Sequence, residues 1–131
     1  MKRLAAIVLF AAAAATAQVA NTRAAFADFG TLTATGVTNA ADVGVLIPSQ
    51  HTLQVKITGS PASCSIQLEG TLDDVTATAS PTWANLSGSQ TCTSTVTFHV
   101  VGRPVRGIRV NLTTLSGGTS PTVQVKYAGV Q

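Results

Sequence analysis

Apolar residues occur at every second position in five stretches of the chain, where they alternate with polar residues. A period of two is typical of a β-strand with one face buried and the other in water. Two weaker strands are predicted near residues 30–35 and 42–47. The five clear stretches lie at residues 52–58, 64–69, 92–100, 108–113 and 123–127.

Turn-forming residues separate these stretches, among them Pro61, Pro81, Pro104 and Gly117. About seven short strands with polar connections are typical of an antiparallel β-sandwich. The sequence therefore predicts an all-β fold with a single antiparallel β-sandwich, jelly-roll or immunoglobulin-like, over residues 31–131. Hydrophobic residues make up 45% of the chain and charged residues 10%, which is typical of a folded β-rich chain and not of a disordered one.

The N-terminus has the layout of a secretory signal peptide. Residues 1–17, "MKRLAAIVLFAAAAATA", have a basic start, an apolar run and small residues at the end. Cleavage is predicted after Ala17, with a second candidate site after Ala27, and residues 18–30 are interpreted as a lead-in. The alternative is an Ala-rich helix that packs in an assembly. The run is too short for a stable membrane span.

The charge of the chain gives little attraction to nucleic acid. The formal net charge is +3, but Lys2 and Arg3 lie in the signal-like segment. Without residues 1–17, six basic residues face five acidic ones, for a net charge of +1. No nucleic-acid partner is expected from so small an excess.

Three carboxylates close in sequence, Glu69, Asp73 and Asp74, are the candidate ligands for a metal ion. Ca²⁺ takes about six to eight oxygen ligands, but the dense Asp, Asn and Gly spacing of a calcium loop is missing here. A solvated turn is the favoured interpretation, so no metal and no cofactor are predicted. A mixed zinc site of the two histidines and two cysteines is a further alternative, although no close ligand pair is present.

Arg103, Arg106 and Arg109 form the only basic cluster, and with Trp83 they are the candidate interaction residues. Positions three apart on a strand point to opposite faces, so the arginines do not make one stripe. They could bind a carboxylate on a neighbouring subunit or an acidic sugar. The alternative is a role in solubility and local ion pairs.

No catalytic arrangement can be assigned from the sequence. The chain has no G-x-S-x-G turn for a nucleophile. The adjacent acids Asp73 and Asp74 are interpreted as turn residues and not as the carboxylate pair of a glycosidase. A non-enzyme is therefore predicted.

Cys64 and Cys92 are the only cysteines. An even count in an exported chain favours a disulfide, and both share the inward parity of their predicted strands. The alternative is two buried free thiols that pack as small apolar residues.

Residues 53–130 resemble a β-sandwich module of bacteriophage virion proteins such as head decorations and fibres. The chain departs from the module after Asp73, where Asp74 replaces an expected glycine and a stretch is inserted before Trp83. The resemblance implies that Trp83 closes the sandwich core beside Leu86; stacking on a sugar or a partner surface is the alternative. The matching pieces are "LEGTLD" at 68–73, Trp83, Val105-Arg106 and "LSGGT" at 115–119.

The resemblance implies a structural protein of a phage particle, which acts by packing on other virion proteins or on copies of itself. The signal-like N-terminus favours an alternative, a secreted bacterial binding module whose partner is a carbohydrate or a host surface glycan. The predicted location is accordingly the virion or the extracellular space. The strand at residues 123–127 has one charge, Lys126, and it is predicted to be an edge strand that a neighbour covers.

Overall fold

The fold comes from a computed structural model that describes residues 23–131. Within these residues the chain forms strands and one short 3-10 helix, Gly44–Leu46, and contains no α-helix. The strands are β1 Ala24–Leu32, β2 Gly36–Val37, β3 Ala41–Asp42, β4 Gln50–Thr58, β5 Ser63–Thr71, β6 Ala84–Asn85, β7 Gln90–Thr91, β8 Val96–Val101, β9 Gly107–Ser116 and β10 Thr122–Val130.

The strands form two antiparallel sheets. The four-stranded sheet has the order β1-β10-β4-β8. The six-stranded sheet is built on the pair β5 and β9; β2 and β3 extend it beside β9, and β6 and β7 extend it beside β5. Sequence alternation therefore gives each long strand one inward and one outward face.

The inward faces of both sheets make one hydrophobic core. Four strands, β4, β5, β9 and β10, supply most of it, and the side chains at its centre are fully buried. The predicted all-β sandwich is thus confirmed, with the period-two residues inside. The central side chains are Leu53, Val55, Ile66, Leu68, Ile108, Val110, Leu112, Val123 and Val125.

The Gly-Gly turn between β9 and β10 has both glycines at positive φ, 72° at Gly117 and 74° at Gly118. Only glycine adopts this region without strain. A Cβ at Gly118 would also collide with the backbone carbonyl of Gly59. The turn therefore packs against the β4–β5 connection, and Thr119 N donates to Gly59 O at 2.8 Å.

Several predicted boundaries were wrong. Residues 24–30, assigned to the lead-in, belong to β1, because they pair with β10 from Ala24↔Val130 to Asp28↔Lys126. Cleavage after Ala27 would therefore cut this strand. Residues 42–47 are not one strand, because only Asp42 belongs to β3 and Gly44–Leu46 forms the 3-10 helix. The predicted strand at 92–100 is shorter, since β8 begins at Val96.

The edge-strand prediction for residues 123–127 was also wrong. β10 lies between β1 and β4 and is bonded on both sides. The edges of the four-stranded sheet are β1 and β8.

The signal-like segment 1–17 and residues 18–22 lie outside the described residues. Among residues 23–131, no helix is long and apolar enough to cross a membrane.

Candidate functional site

The loop of residues 72–83, which connects β5 to β6, returns over the outer face of the six-stranded sheet. Val75 lies directly above Gly107, where a Cβ would collide with its side chain. Arg106 binds the same loop, because its Nη2 donates to Asp74 Oδ2 at 2.5 Å. The same Nη2 lies 3.8 Å from Oδ2 of Asp42 on β3. The missing side chain at Gly107 and the charge of Arg106 together hold the loop on the sheet.

A polar cluster of Glu69, Arg109, Asn111 and Trp83 lies beside this loop. Glu69 and Arg109 are opposite each other on β5 and β9, and Arg109 Nε donates to Glu69 Oε2 at 2.5 Å. Asn111 Nδ2 donates to Glu69 Oε1 at 2.9 Å. The Arg109 guanidinium stacks on the Trp83 ring, 4.3 Å from its centroid. Glu69 is only 7% exposed. Its buried charge is satisfied, because both carboxylate oxygens accept hydrogen bonds.

The structure does not bring the three candidate calcium ligands together. Glu69 is bonded to Arg109 and Asn111, Asp73 accepts from Thr82 N at 2.6 Å, and Asp74 accepts from Thr76 and Arg106. Hydrogen bonds from Thr76 and the neighbouring Arg106 lower the pKa of Asp74. The structure does not support the calcium alternative, because each carboxylate already has its own partner. Among residues 23–131, no group of three metal-ligating side chains lies close enough to hold a metal ion.

The three arginines lie in different surroundings. Arg106 and Arg109 form the ion pairs just described, so local pairing accounts for both. Arg103 is exposed in the turn before Pro104.

Trp83 does not fill the core. The core interpretation was wrong, because Trp83 covers Arg109 on the outer face of the sheet. Leu86, three residues further along the chain, does pack against the core, beside Gly70 and Val105.

A buried polar pair, His51 and Tyr127, lies between the sheets. His51 Nε2 donates to Arg103 O at 2.7 Å, so its Nδ1 accepts from the Tyr127 hydroxyl at 2.8 Å. Burial lowers the pKa of His51, against the opposing effect of the Arg103 carbonyl, and burial raises the pKa of Tyr127. Both shifts favour the neutral form of the side chain, and the two hydrogen bonds tie β4 and β10 to the turn at Arg103.

The structure does not support the zinc alternative either. His51 points into the core, whereas His99 lies on the outer face of the same sheet and bonds to Thr52 Oγ1 at 2.9 Å. The cysteines form the predicted disulfide, with Cα atoms of Cys64 and Cys92 4.9 Å apart. Cys92 lies just beyond β7, and its backbone N donates to Cys64 O at 3.0 Å.

The outer face of the four-stranded sheet carries a hollow that sequence reasoning missed. Its volume is about 320 Å³, and all five residues that line it have polar side chains. Lys56 stands opposite Gln124, and Lys126 stands opposite Gln54, across the β4–β10 pair. Thr95 completes the rim from the segment before β8. The outward parity of these residues was visible in the sequence, but their meeting depends on the strand register.

Two packed antiparallel sheets around one core define the class of the protein, a β-sandwich module. The chain is similar in fold to a solved structure described as the SPBc2 prophage-derived protein YomS, with a TM-score of 0.54, 16% identity, and coverage of 84% of this chain and 95% of that one. A structure described as PirA matches with a TM-score of 0.41 and 11% identity over 84% of this chain and 93% of that one. No family model and no curated sequence matches the chain.

Proposed function

We propose that this protein is a non-enzymatic structural component of a phage particle, a capsid decoration, spike or fibre-like module that acts by packing on neighbouring subunits. The virion-like motifs of residues 53–130 support the proposal. The prophage origin of the structural neighbour YomS is consistent with it.

The exposed edge formed by β1 is the observation that carries the proposal. β1 is nine residues long, and within residues 23–131 no strand pairs with its free side. Asp28 is its only charged residue, so it lacks the charges that usually block an edge. Phe26 on β1 is 77% exposed. An open edge beside an exposed aromatic side chain suits contact with another protein subunit.

The test is whether the native protein is part of purified phage particles. We expect its peptides in gradient-purified particles by mass spectrometry. We expect Phe26→Asp to reduce incorporation, because it places a charge on the proposed contact. Leu72→Asp is the matched control, since Leu72 is 73% exposed but lies at the end of the other sheet. Absence from particles, or equal incorporation of both variants, would contradict the proposal.

The second candidate is a secreted bacterial binding module. The disulfide between Cys64 and Cys92 favours it, because disulfides persist in oxidising compartments. Mass analysis of the native N-terminus separates the candidates. A chain that begins at residue 18 and is found in the culture medium without particles supports secretion; a chain found only in particles supports the virion.

A further inference from the structure

The hollow on the four-stranded sheet contains a square of four long polar side chains. Gln124 and Lys56 form one row across β10 and β4, and Lys126 and Gln54 form the next. All four belong to the outward face, since the residues between them, Val55 and Val125, are buried in the core. The two ammonium groups therefore stand on a diagonal, each beside an amide.

These side chains have no partners within the described part of the chain. In every ion pair of residues 23–131 the cation is an arginine, so Lys56 and Lys126 make no ion pair there. Asp28 stands opposite Lys126 in the β1–β10 register, but its Oδ1 accepts from Gly30 N at 2.8 Å. That bond holds the carboxylate at the β1 bulge between Asp28 and Thr31. The hollow is therefore lined by two lysine ammonium groups, and the Asp28 carboxylate lies beside it.

The rim is fixed by backbone structure. Ile57 N donates to Thr95 Oγ1 at 3.2 Å, which places Thr95 beside Lys56. The floor is the β4–β10 pair, which is continuous from Thr58↔Thr122 to Gln50↔Val130. The hollow is at the lower end of the volumes of small-molecule sites, about 300–1,000 Å³. A rigid floor limits the entropy lost when a ligand binds.

We propose that this hollow binds an anionic, hydroxyl-bearing ligand, an acidic sugar or a polyol phosphate. The ammonium groups of Lys56 and Lys126 bind the anionic group by charge-assisted hydrogen bonds. The amides of Gln54 and Gln124 each offer a donor and an acceptor, which suits hydroxyl groups. The lining has no large apolar side chain, so a neutral apolar ligand gains little there.

This site adjoins the proposed assembly contact, because Lys126 also lines a shallow hollow with Phe26. Phe26 pairs with Ala128, one outward position beyond Lys126 along β10. A subunit held at the β1 edge would therefore share Lys126 with the ligand, whereas Lys56 lies on β4 and lines no hollow with Phe26. The ligand proposal can hold for a phage component or for a secreted module, and its test uses the isolated protein.

The test is a titration of isotope-labelled protein by two-dimensional NMR with three probes: trigalacturonate, glycerol 3-phosphate and neutral maltotriose. We expect saturable shifts of the backbone amides of residues 54–56 and 124–126 with at least one anionic probe, at a dissociation constant of about 1 mM. The anionic probe that binds more tightly identifies the source, sugar carboxylate or phosphate. Maltotriose is expected to bind at least about tenfold more weakly, since it lacks the charge.

Variants distinguish a built site from general attraction of anions. Lys56→Gln and Lys126→Gln are each expected to weaken binding roughly tenfold, as expected for one lost charge-assisted contact. Arg103→Gln is the charge-matched control, because Arg103 is exposed and does not line the hollow. The proposal is overturned if neither anionic probe gives saturable shifts at these residues. It is equally overturned if Arg103→Gln weakens binding as much as the lysine variants, or if maltotriose binds as well as the anions.

Discussion

The two outer faces of the sandwich differ in what their charged side chains do. On the six-stranded sheet, Arg106 and Arg109 are paired with carboxylates, and the loop of residues 72–83 lies over them. On the four-stranded sheet, within residues 23–131, Lys56 and Lys126 make no ion pair, and no loop covers the hollow between them. Paired charges hold the fold, whereas unpaired charges remain available to a ligand or a partner.

The difference follows from loop length and from cross-strand pairing. β5 and β9 place Glu69 opposite Arg109, so opposite charges meet within the sheet. β4 and β10 place a lysine opposite a glutamine in each row, so this strand pair supplies no opposite charge. Substitutions on the six-stranded sheet should therefore affect stability, and those on the outer face of the four-stranded sheet should affect binding.

The largest expected effect comes from removal of the disulfide that joins β5 to the segment after β7. The double variant Cys64→Ser, Cys92→Ser opens a loop with a sequence separation of 28. We expect the free energy of unfolding to fall by about 3–4 kcal/mol, measured by urea denaturation. Wild-type protein under reducing conditions should fall to a similar value. Two alkylatable thiols in the native protein would contradict this prediction.

The next effect concerns the Glu69 cluster. Glu69→Ala leaves Arg109 largely covered and without its carboxylate, which should cost about 2 kcal/mol. Trp83, the only tryptophan, should report the change by fluorescence, because its stacking partner is no longer held. Glu69→Gln, which keeps an acceptor for Asn111, should cost less. If Glu69→Ala is as stable as the wild type, the cluster does not hold the loop.

Because His51 is buried on the core side of the four-stranded sheet, we expect a smaller effect, a dependence of the free energy of unfolding on pH. Its pKa in the folded protein is lowered, so the unfolded chain binds a proton more readily. Stability is therefore fully present above the unfolded pKa of about 6.5 and falls as pH drops through the folded pKa.

The slope of that fall is limited to about 1.4 kcal/mol per pH unit for one proton. Urea denaturation at a series of pH values measures it. His51→Gln should remove the fall, and the exposed His99→Gln should leave it unchanged. A fall that survives in His51→Gln would assign it to another group.

The smallest effect is expected in the hollow. Lys56→Gln and Lys126→Gln should each change the free energy of unfolding by less than about 0.5 kcal/mol, because both side chains are exposed and make no ion pair within residues 23–131. Thermal or urea denaturation checks this. A loss above 1 kcal/mol, on the order of a buried hydrogen bond, would show that these lysines hold the fold and would remove the contrast between the faces.

The sequence was sufficient to predict the sandwich, because alternation in β4, β5, β9 and β10 reports burial directly. It was also sufficient for the disulfide, since only two cysteines share an inward parity. β1 was missed because its sequence, "AAFADFGTL", contains small residues whose alternation is weak. Its place in the sheet comes from pairing with β10, at the far end of the chain.

The candidate sites depended on contacts that a sequence does not contain. Trp83 meets Arg109 only because the loop returns over the sheet. Lys56 and Lys126 meet because β4 and β10 pair in one particular register, and a shift by one residue would turn them to the other face. Proximity in sequence therefore pointed to Asp73 and Asp74, which the structure assigns to different partners.

Cross-linking mass spectrometry on purified particles tests the central claim most directly, because Lys56 and Lys126 are the only lysines apart from Lys2. An amine-specific reagent therefore reports almost only on the outer face of the four-stranded sheet. With a subunit packed at the β1 edge beside Phe26, we predict cross-links from Lys126 to another virion protein or to a second copy of this chain. Particles that contain no peptide of this protein would contradict the account. So would particles in which every cross-link of Lys126 lies within one chain, as in the isolated protein.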